Sequence, residues 1–220
     1  MQAGDFMNLF TQLDATPTHE ELFPGAILMR GLALAEDQAL LAAVEGVASG
    51  VPFRPMTTPT GLPMSIVSTA CGTHPRLEEN IGFRYGREDG LPNRPRPKIP
   101  EVLLNFALRA ARLAGFSEFH PDACLMNRYQ AGTKLGLHQD RHEFDLAQPI
   151  VSVSFGLQAT FLFGGFARTS ETRRILLEHG DVIVWGGPSR LRFHGILPLR
   201  PGHHPLTGPY RYNLTFRKVA

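Results

Sequence analysis

From Asp122 onward the chain breaks into short β-prone runs, at roughly 124–129, 135–139, 150–157, 159–163, 173–177, 181–185, 191–197 and 211–218. Gly and Pro clusters separate them, at Gly164-Gly165, Gly180-Asp181, Gly186-Gly187-Pro188 and Pro201-Gly202. Regular short strands with such turns point to a sandwich or a jelly-roll barrel. Upstream the pattern differs. Residues 33–49 are rich in Ala and Leu at helical spacing, and 100–114 read as a second helix. Pro100 suits a first helical position there, and Gly115 suits the left-handed position after the last turn. Leu103, Phe106, Ala110 and Leu113 are the expected buried stripe of that helix. Residues 52–98 are rich in Pro, Gly and Thr, with β-like pieces at 64–70 and 81–85, and read as a loop-rich lid or hairpin layer.

A length of 220 residues suits one domain, 1–220, with helices and lid over 1–121 and the β core over 122–220. No apolar run approaches the ~18 residues of a membrane span. The acidic start, Met1 to Asp14, lacks the basic head of a signal peptide. Cys71 and Cys124 are the only cysteines, too few for a disulfide framework, and both read as small core residues in a reducing cytoplasm. Charge is unevenly spread. Residues 1–50 carry one basic and seven acidic residues, whereas 165–220 carry nine basic and three acidic. A basic half attracts a polyanion, and nucleic acid is the obvious one.

His138-Gln139-Asp140, followed 54 residues later by His194, supplies two imidazoles and a carboxylate. That set leaves half of an iron coordination sphere open. Two residues apart on a strand, His138 and Asp140 share a face. Alone, His-x-Asp is a weak signal. The last strand strengthens it, because Arg211, Asn213, Thr215 and Arg217 share one face while Tyr210, Tyr212, Leu214 and Phe216 share the other. Two arginines on one face beside a metal suit a small dianion, since arginine stays protonated and grips carboxylates at two points.

Longer runs accompany these residues: Pro121 to Tyr129, Pro149-Ile150-Val151-Ser152-Val153-Ser154, Leu177 to Val182, Trp185-Gly186-Gly187, His194-Gly195-Ile196 and Arg211 to Arg217. With them, the chain from about residue 22 to its end resembles the AlkB family of Fe(II)- and 2-oxoglutarate-dependent dealkylases, in its bacterial branch. The resemblance implies an α+β, mainly-β fold: a double-stranded β-helix (jelly-roll) core with N-terminal helices and a nucleotide-recognition lid. It implies iron held by His138, Asp140 and His194. Asn127 and Arg217 are implied at the keto-acid end of 2-oxoglutarate, and Arg211, Tyr129 and Asn213 at its distal carboxylate. Arg128 lies within the same implied co-substrate set. The implied reaction uses O2 to convert 2-oxoglutarate to succinate and CO2 while hydroxylating an N-methyl carbon. The product then collapses to formaldehyde and the free base. Bases of the 1-methyladenine and 3-methylcytosine type are the implied substrates, in single- or double-stranded DNA or in RNA, with a monomer as the working form.

The lid departs most from the family pattern. Phe83 and Tyr85 suit stacking or sugar contacts. Where bacterial relatives carry a stacking Trp, a gapless alignment places Arg76, and His74 is a second candidate. Two residues after Asp140, a position usually acidic in the bacterial enzymes holds His142, with Glu143 next. Arg168 matches a substrate-facing arginine. His203-His204 lies in a Pro/Gly loop and reads as exposed, and His19 and His120 lack a partner at ligand spacing. A barrel that hydroxylates a protein or small molecule is the alternative within the same chemistry. A catalytically silent barrel that binds nucleic acid is the alternative outside it.

Overall fold

A computed structural model describes residues 18–57, 63–72, 84–85, 97–141 and 143–219. The strands are β1 (His19–Phe23), β2 (Ala26–Met29), β3 (Arg54–Thr57), β4 (Pro63–Gly72), β5 (Arg84–Tyr85), β6 (Ala123–Tyr129), β7 (Leu135–His138), β8 (Ile150–Gly156), β9 (Ala159–Gly164), β10 (Thr172–Leu177), β11 (Val182–Trp185), β12 (His194–Ile196) and β13 (Arg211–Arg217). Among the described residues the helices are α1 (Asp37–Gly50) and α2 (Glu101–Leu113), with short 3-10 turns at Leu34–Glu36, just before α1, and at Gly187–Ser189, after β11. Among the described residues no helix is long and apolar enough to cross a membrane.

Two antiparallel sheets face each other. The larger has the order β1-β2-β11-β8-β13-β6-β4-β3-β5 and the smaller β10-β9-β12-β7. This is the jelly-roll arrangement expected of the core. The large sheet does not stop at the core, however, because five of its nine strands precede residue 122. Of these, β1, β2 and β3 carry little sequence signal. β2 is a four-residue apolar run without alternation. β3 contains Pro55, which argues against a strand in sequence, and its pairing with β4 shifts register between Pro55 and Thr57.

The helices cover the outer face of the large sheet. Leu40, Val44 and Val47 of α1 and Leu103, Phe106 and Ala110 of α2 bury against Met126, Val153, Leu214 and Phe216. The expected stripe of α2 holds except at its end, since Leu113 is 47% exposed while Ala107 and Ala111 are buried. A 3.6-residue period carries position 113 to the edge of the stripe, and Ala107 and Ala111 lie nearer its centre. Gly115 takes φ +89°, closing the helix as expected. A second cluster, including Ile150, Phe161, Phe163, Ile183, Trp185 and Ile196, fills the space between the sheets. Cys71 and Cys124 pair across β4 and β6 as buried free thiols.

Candidate metal and co-substrate site

Sheet register brings the two imidazoles together. His138 ends β7 and stands directly opposite His194 on β12, with ring centroids 4.3 Å apart. Beside His194, a Cβ on Gly195 would meet the Leu135 carbonyl oxygen at 2.7 Å, so that close strand approach requires glycine. Asp140 arrives differently from the expectation of a shared strand face. β7 stops at His138, and Asp140 reaches the site from the following loop. Its carboxylate oxygens lie 3.8 Å from His138 Nε2 and 3.6 Å from His194 Nε2. One atom from each of the three residues falls within 4.8 Å of the others. A small closing movement would suit the ~2.0–2.2 Å bonds of a transition metal.

The protonation states suit ligands. His138 Nδ1 donates to the Gly136 carbonyl at 2.9 Å, and His194 Nδ1 to the Arg192 carbonyl at 3.1 Å. Both bonds leave Nε2 free to bind a metal, as metal-binding imidazoles require. Burial and then the neighbouring His194 push the His138 imidazole down to about 4, so it is neutral near pH 7. Burial alone would raise the Asp140 carboxyl. The Arg217 guanidinium and the two imidazoles outweigh that and hold it well below the usual carboxylate range.

The cleft continues inward from the triad along β13, enclosing about 550 Å³ with its open mouth. Asn127, Tyr129, Arg211, Asn213, Thr215 and Arg217 line it, with Trp185, Phe161 and Ile196 on other walls. Arg217 Nη2 donates to Asp140 Oδ2 at 2.7 Å. Arg211 Nη2 donates to Ser154 Oγ at 3.0 Å, and its guanidinium lies 5.0 Å from the Tyr129 ring centre. Asn213 donates to Ser152 Oγ and the Val153 carbonyl. Asn127 accepts from Ser68 Oγ at 2.6 Å.

Both guanidiniums are under-satisfied. Arg211 and Arg217 are 1% and 5% exposed. Nε and Nη1 of each lack a hydrogen-bond partner, as does the Tyr129 hydroxyl. Buried donors without acceptors are costly, more so on cations. A small molecule with a carboxylate at each end meets that demand. The His-Asp-His donor set likewise fits Fe(II), leaving positions for a chelating keto acid and O2.

Not every expected residue comes to the cleft. Arg128 points to the opposite face of β6, where its guanidinium lies 4.8 Å from the ring centres of both Phe53 and Tyr210. Strand alternation puts it there, because Asn127 and Tyr129 face inward. The geometry therefore removes Arg128 from the co-substrate set. Arg168 is exposed on the β9–β10 loop, donates to the Leu137 carbonyl and lies 5.4 Å from the Phe193 ring centre. It thus borders the strand that delivers His138. Tyr85 sits on β5, whose backbone pairs with Met56. His74, Arg76, Phe83 and His142 lie outside the described residues, as does the acidic start of the chain. His203 is exposed as expected, and His19 and His120 are exposed too, whereas His204 is half-buried and stacks on His179 at 4.1 Å. The sequence reading did not place Trp185 in the site. Its indole stands edge-on to His194 at 5.1 Å and buries an unpartnered Nε1 in the cleft wall. Gln139, Glu143 and Arg190 brace the triad from behind; Gln139 lies within the His-x-Asp motif, but no spacing rule assigns any of the three that role.

Comparison with known proteins agrees with this geometry. Residues 25–217 match the model of the 2OG-Fe(II) oxygenase superfamily. The chain is 50% identical over 207 residues to the alpha-ketoglutarate-dependent dioxygenase AlkB of Escherichia coli (strain K12), covering 94% of this chain and 96% of that one. It is 43% identical over 149 residues to the DNA N(6)-methyladenine demethylase ALKBH1D of Arabidopsis thaliana, covering 55% of this chain and 33% of that one. Among solved structures, that of OsALKBH1 superposes with a TM-score of 0.75 at 28% identity, covering 91% of this chain and all of that one. The chain belongs to the 2OG-Fe(II) oxygenase superfamily and, within it, to the AlkB family of iron- and 2-oxoglutarate-dependent dioxygenases.

Proposed function

We propose that this dioxygenase oxidatively demethylates N-alkylated nucleic-acid bases of the 1-methyladenine and 3-methylcytosine type, in DNA or RNA. The observation that carries the reading is the cleft in which a His-Asp-His triad adjoins two buried arginines with unpartnered N–H groups. The relatives support the substrate class: the Arabidopsis protein is named a DNA demethylase. The basic C-terminal quarter of this chain suits a polyanion.

In this reading His138, Asp140 and His194 hold Fe(II), which supplies O2 activation coupled to decarboxylation of 2-oxoglutarate. The protein contributes geometry and charge. Arg211, with Asn213 and the Tyr129 hydroxyl, holds the distal carboxylate of 2-oxoglutarate. Arg217 and Asn127 would hold the keto-acid end, Arg217 through the Nε and Nη1 donors that lack a hydrogen-bond partner. Trp185, Phe161 and Ile196 make the adjoining walls apolar. In a duplex the methylated base is extruded before it reacts. Extrusion is easiest when the base's pairing edge is already blocked, which favours lesions over normal bases. Arg168 and Tyr85, with Arg76, Phe83 and His142, are proposed to meet the nucleotide. We read the 220 residues as one domain, working as a monomer in the cytoplasm.

The test is succinate and formaldehyde release over a panel of methylated and unmethylated oligonucleotides, single- and double-stranded, DNA and RNA. Release stimulated by the methylated strands supports the reading. Equal succinate release with and without them, and no formaldehyde, would move the substrate to a protein or small molecule.

A further inference from the structure

The two segments that carry the triad are fastened to each other behind the site. Gln139, between two of the ligands, donates Nε2 to the Leu191 carbonyl at 2.5 Å. In the opposite direction Arg190 donates Nη1 to the Asp140 carbonyl at 2.5 Å. Its Nε donates to the Gln148 carbonyl at 2.9 Å, and its Nη2 lies 3.2 Å from Glu143 Oε2. Two residues further on, the Arg192 carbonyl accepts from His194 Nδ1. So 139–140 and 190–192 are cross-braced, and the brace includes the main chain of one ligand and the ring orientation of another.

Arg190 is 3% exposed. A guanidinium that deep is costly unless its charge and donors are met, and here two carbonyls accept from it while the Glu143 carboxylate lies beside it as an ion pair. The carbonyls it grips, at 140 and 148, bracket the loop that follows β7. Within that loop, Glu143 also faces Arg217, with Oε1 3.6 Å from Nε. Arg217 in turn donates to the Asp140 carboxylate. The charges alternate in a closed circuit from Arg190 through Glu143 and Arg217 to Asp140, whose carbonyl Arg190 holds. Hydrogen bonds of this kind behind a metal ligand set its orientation and affinity.

We propose that Arg190 and Gln139 are positioning residues that set the separation of the Asp140 and His194 segments before metal binds, and that Arg190 also orients Arg217 through Glu143. The proposal rests on the reading of His138, Asp140 and His194 as the metal ligands.

Titration of the metal-free full chain with Co(II), followed by its visible absorption, tests this without turnover. Gln139→Leu and Arg190→Met should each weaken Co(II) binding by about 10–100-fold and change the band shape that reports ligand geometry. Arg190→Lys should fall between these and wild type, because an ammonium keeps the charge but lacks the planar fork that spreads donors across the separated 140 and 148 carbonyls. Glu143→Gln should weaken 2-oxoglutarate binding to the Co(II) form more than it weakens Co(II) binding. Unchanged Co(II) affinity and spectrum in folded Gln139→Leu and Arg190→Met would overturn the proposal, even if both melt at lower temperature. If Arg190→Met does not fold, Gln139→Leu decides by the same criterion, since it removes one hydrogen bond and no charge. A His194→Ala variant that binds Co(II) as tightly as wild type would overturn the triad reading itself, and the proposal with it.

Discussion

The two faces of β13 solve opposite problems in the same seven residues. Outward, Leu214 and Phe216 are buried among the helix residues and the neighbouring strands, with the half-buried Tyr212 packed against that cluster. Inward, Arg211, Asn213, Thr215 and Arg217 are also buried, yet four guanidinium nitrogens there have no hydrogen-bond partner. The outer face gains from removing apolar surface from water. The inner face gives up part of that gain to keep two cations facing a cleft. Burial alone therefore does not distinguish the two faces of this strand; satisfaction of donors does.

The comparison can be broken or sharpened by substitution, starting with the largest effect. His138→Ala, Asp140→Ala and His194→Ala should each reduce turnover to below about a tenth of wild type while leaving the far-UV circular dichroism unchanged, since even groups behind a metal ligand are worth 10–100-fold. A variant that keeps more activity than this with iron supplied removes that residue from the ligand set. On the outer face, Phe216→Ala should lower stability by about 3–5 kcal/mol in denaturant titration, the usual cost of deleting a buried ring. 2-Oxoglutarate affinity of the folded fraction should stay within a few-fold. If affinity fell as much as stability, the two faces would not be separable.

The inner face should respond in reverse. Arg211→Met should weaken 2-oxoglutarate binding by about 1.5–3 kcal/mol, the worth of hydrogen bonds to a charged group. Stability of the ligand-free protein should hold or rise, because an under-paired buried cation gives way to an apolar chain. Calorimetry and thermal melting measure the two sides, and a large loss of stability would place Arg211 with the structural residues. The smallest effect is a pH dependence. In the fold His138 is held down to about 4, below the ordinary value of about 6.5 expected in the unfolded chain. As pH falls from about 6.5 to about 4, the unfolded chain takes up this proton first, so stability should decline across that window. His138→Asn should flatten the decline in the metal-free protein, and an unchanged slope would assign it to other groups.

Much of this site was legible before any fold was known. Period-two alternation alone puts Arg211, Asn213, Thr215 and Arg217 on one face, and two imidazoles with a carboxylate name a class of metal. The same rule, applied to residues 127–129, excludes Arg128 from the face shared by Asn127 and Tyr129. Family likeness alone places Arg128 in the co-substrate set, and the local geometry does not support it. Periodicity also marked both helices, and turn residues marked the strands of the core, because those signals are local.

What the sequence determined by itself, then, is chemistry and local form: the donor set, the cationic strand, the helices and the punctuated strands. Only the tertiary structure decided how these meet. Register across β7 and β12 set His138 opposite His194, and a loop rather than a strand delivered Asp140. The strands β1, β2 and β3 exist because neighbouring strands offer unpaired backbone groups; their own residues are weak β formers or too few to show a period. Arg190 reaches the Asp140 carbonyl from fifty residues away. No spacing rule encodes such a contact. Its energy comes from burying a charge beside the acceptors that pay for it, and those acceptors come together only when the sheets close.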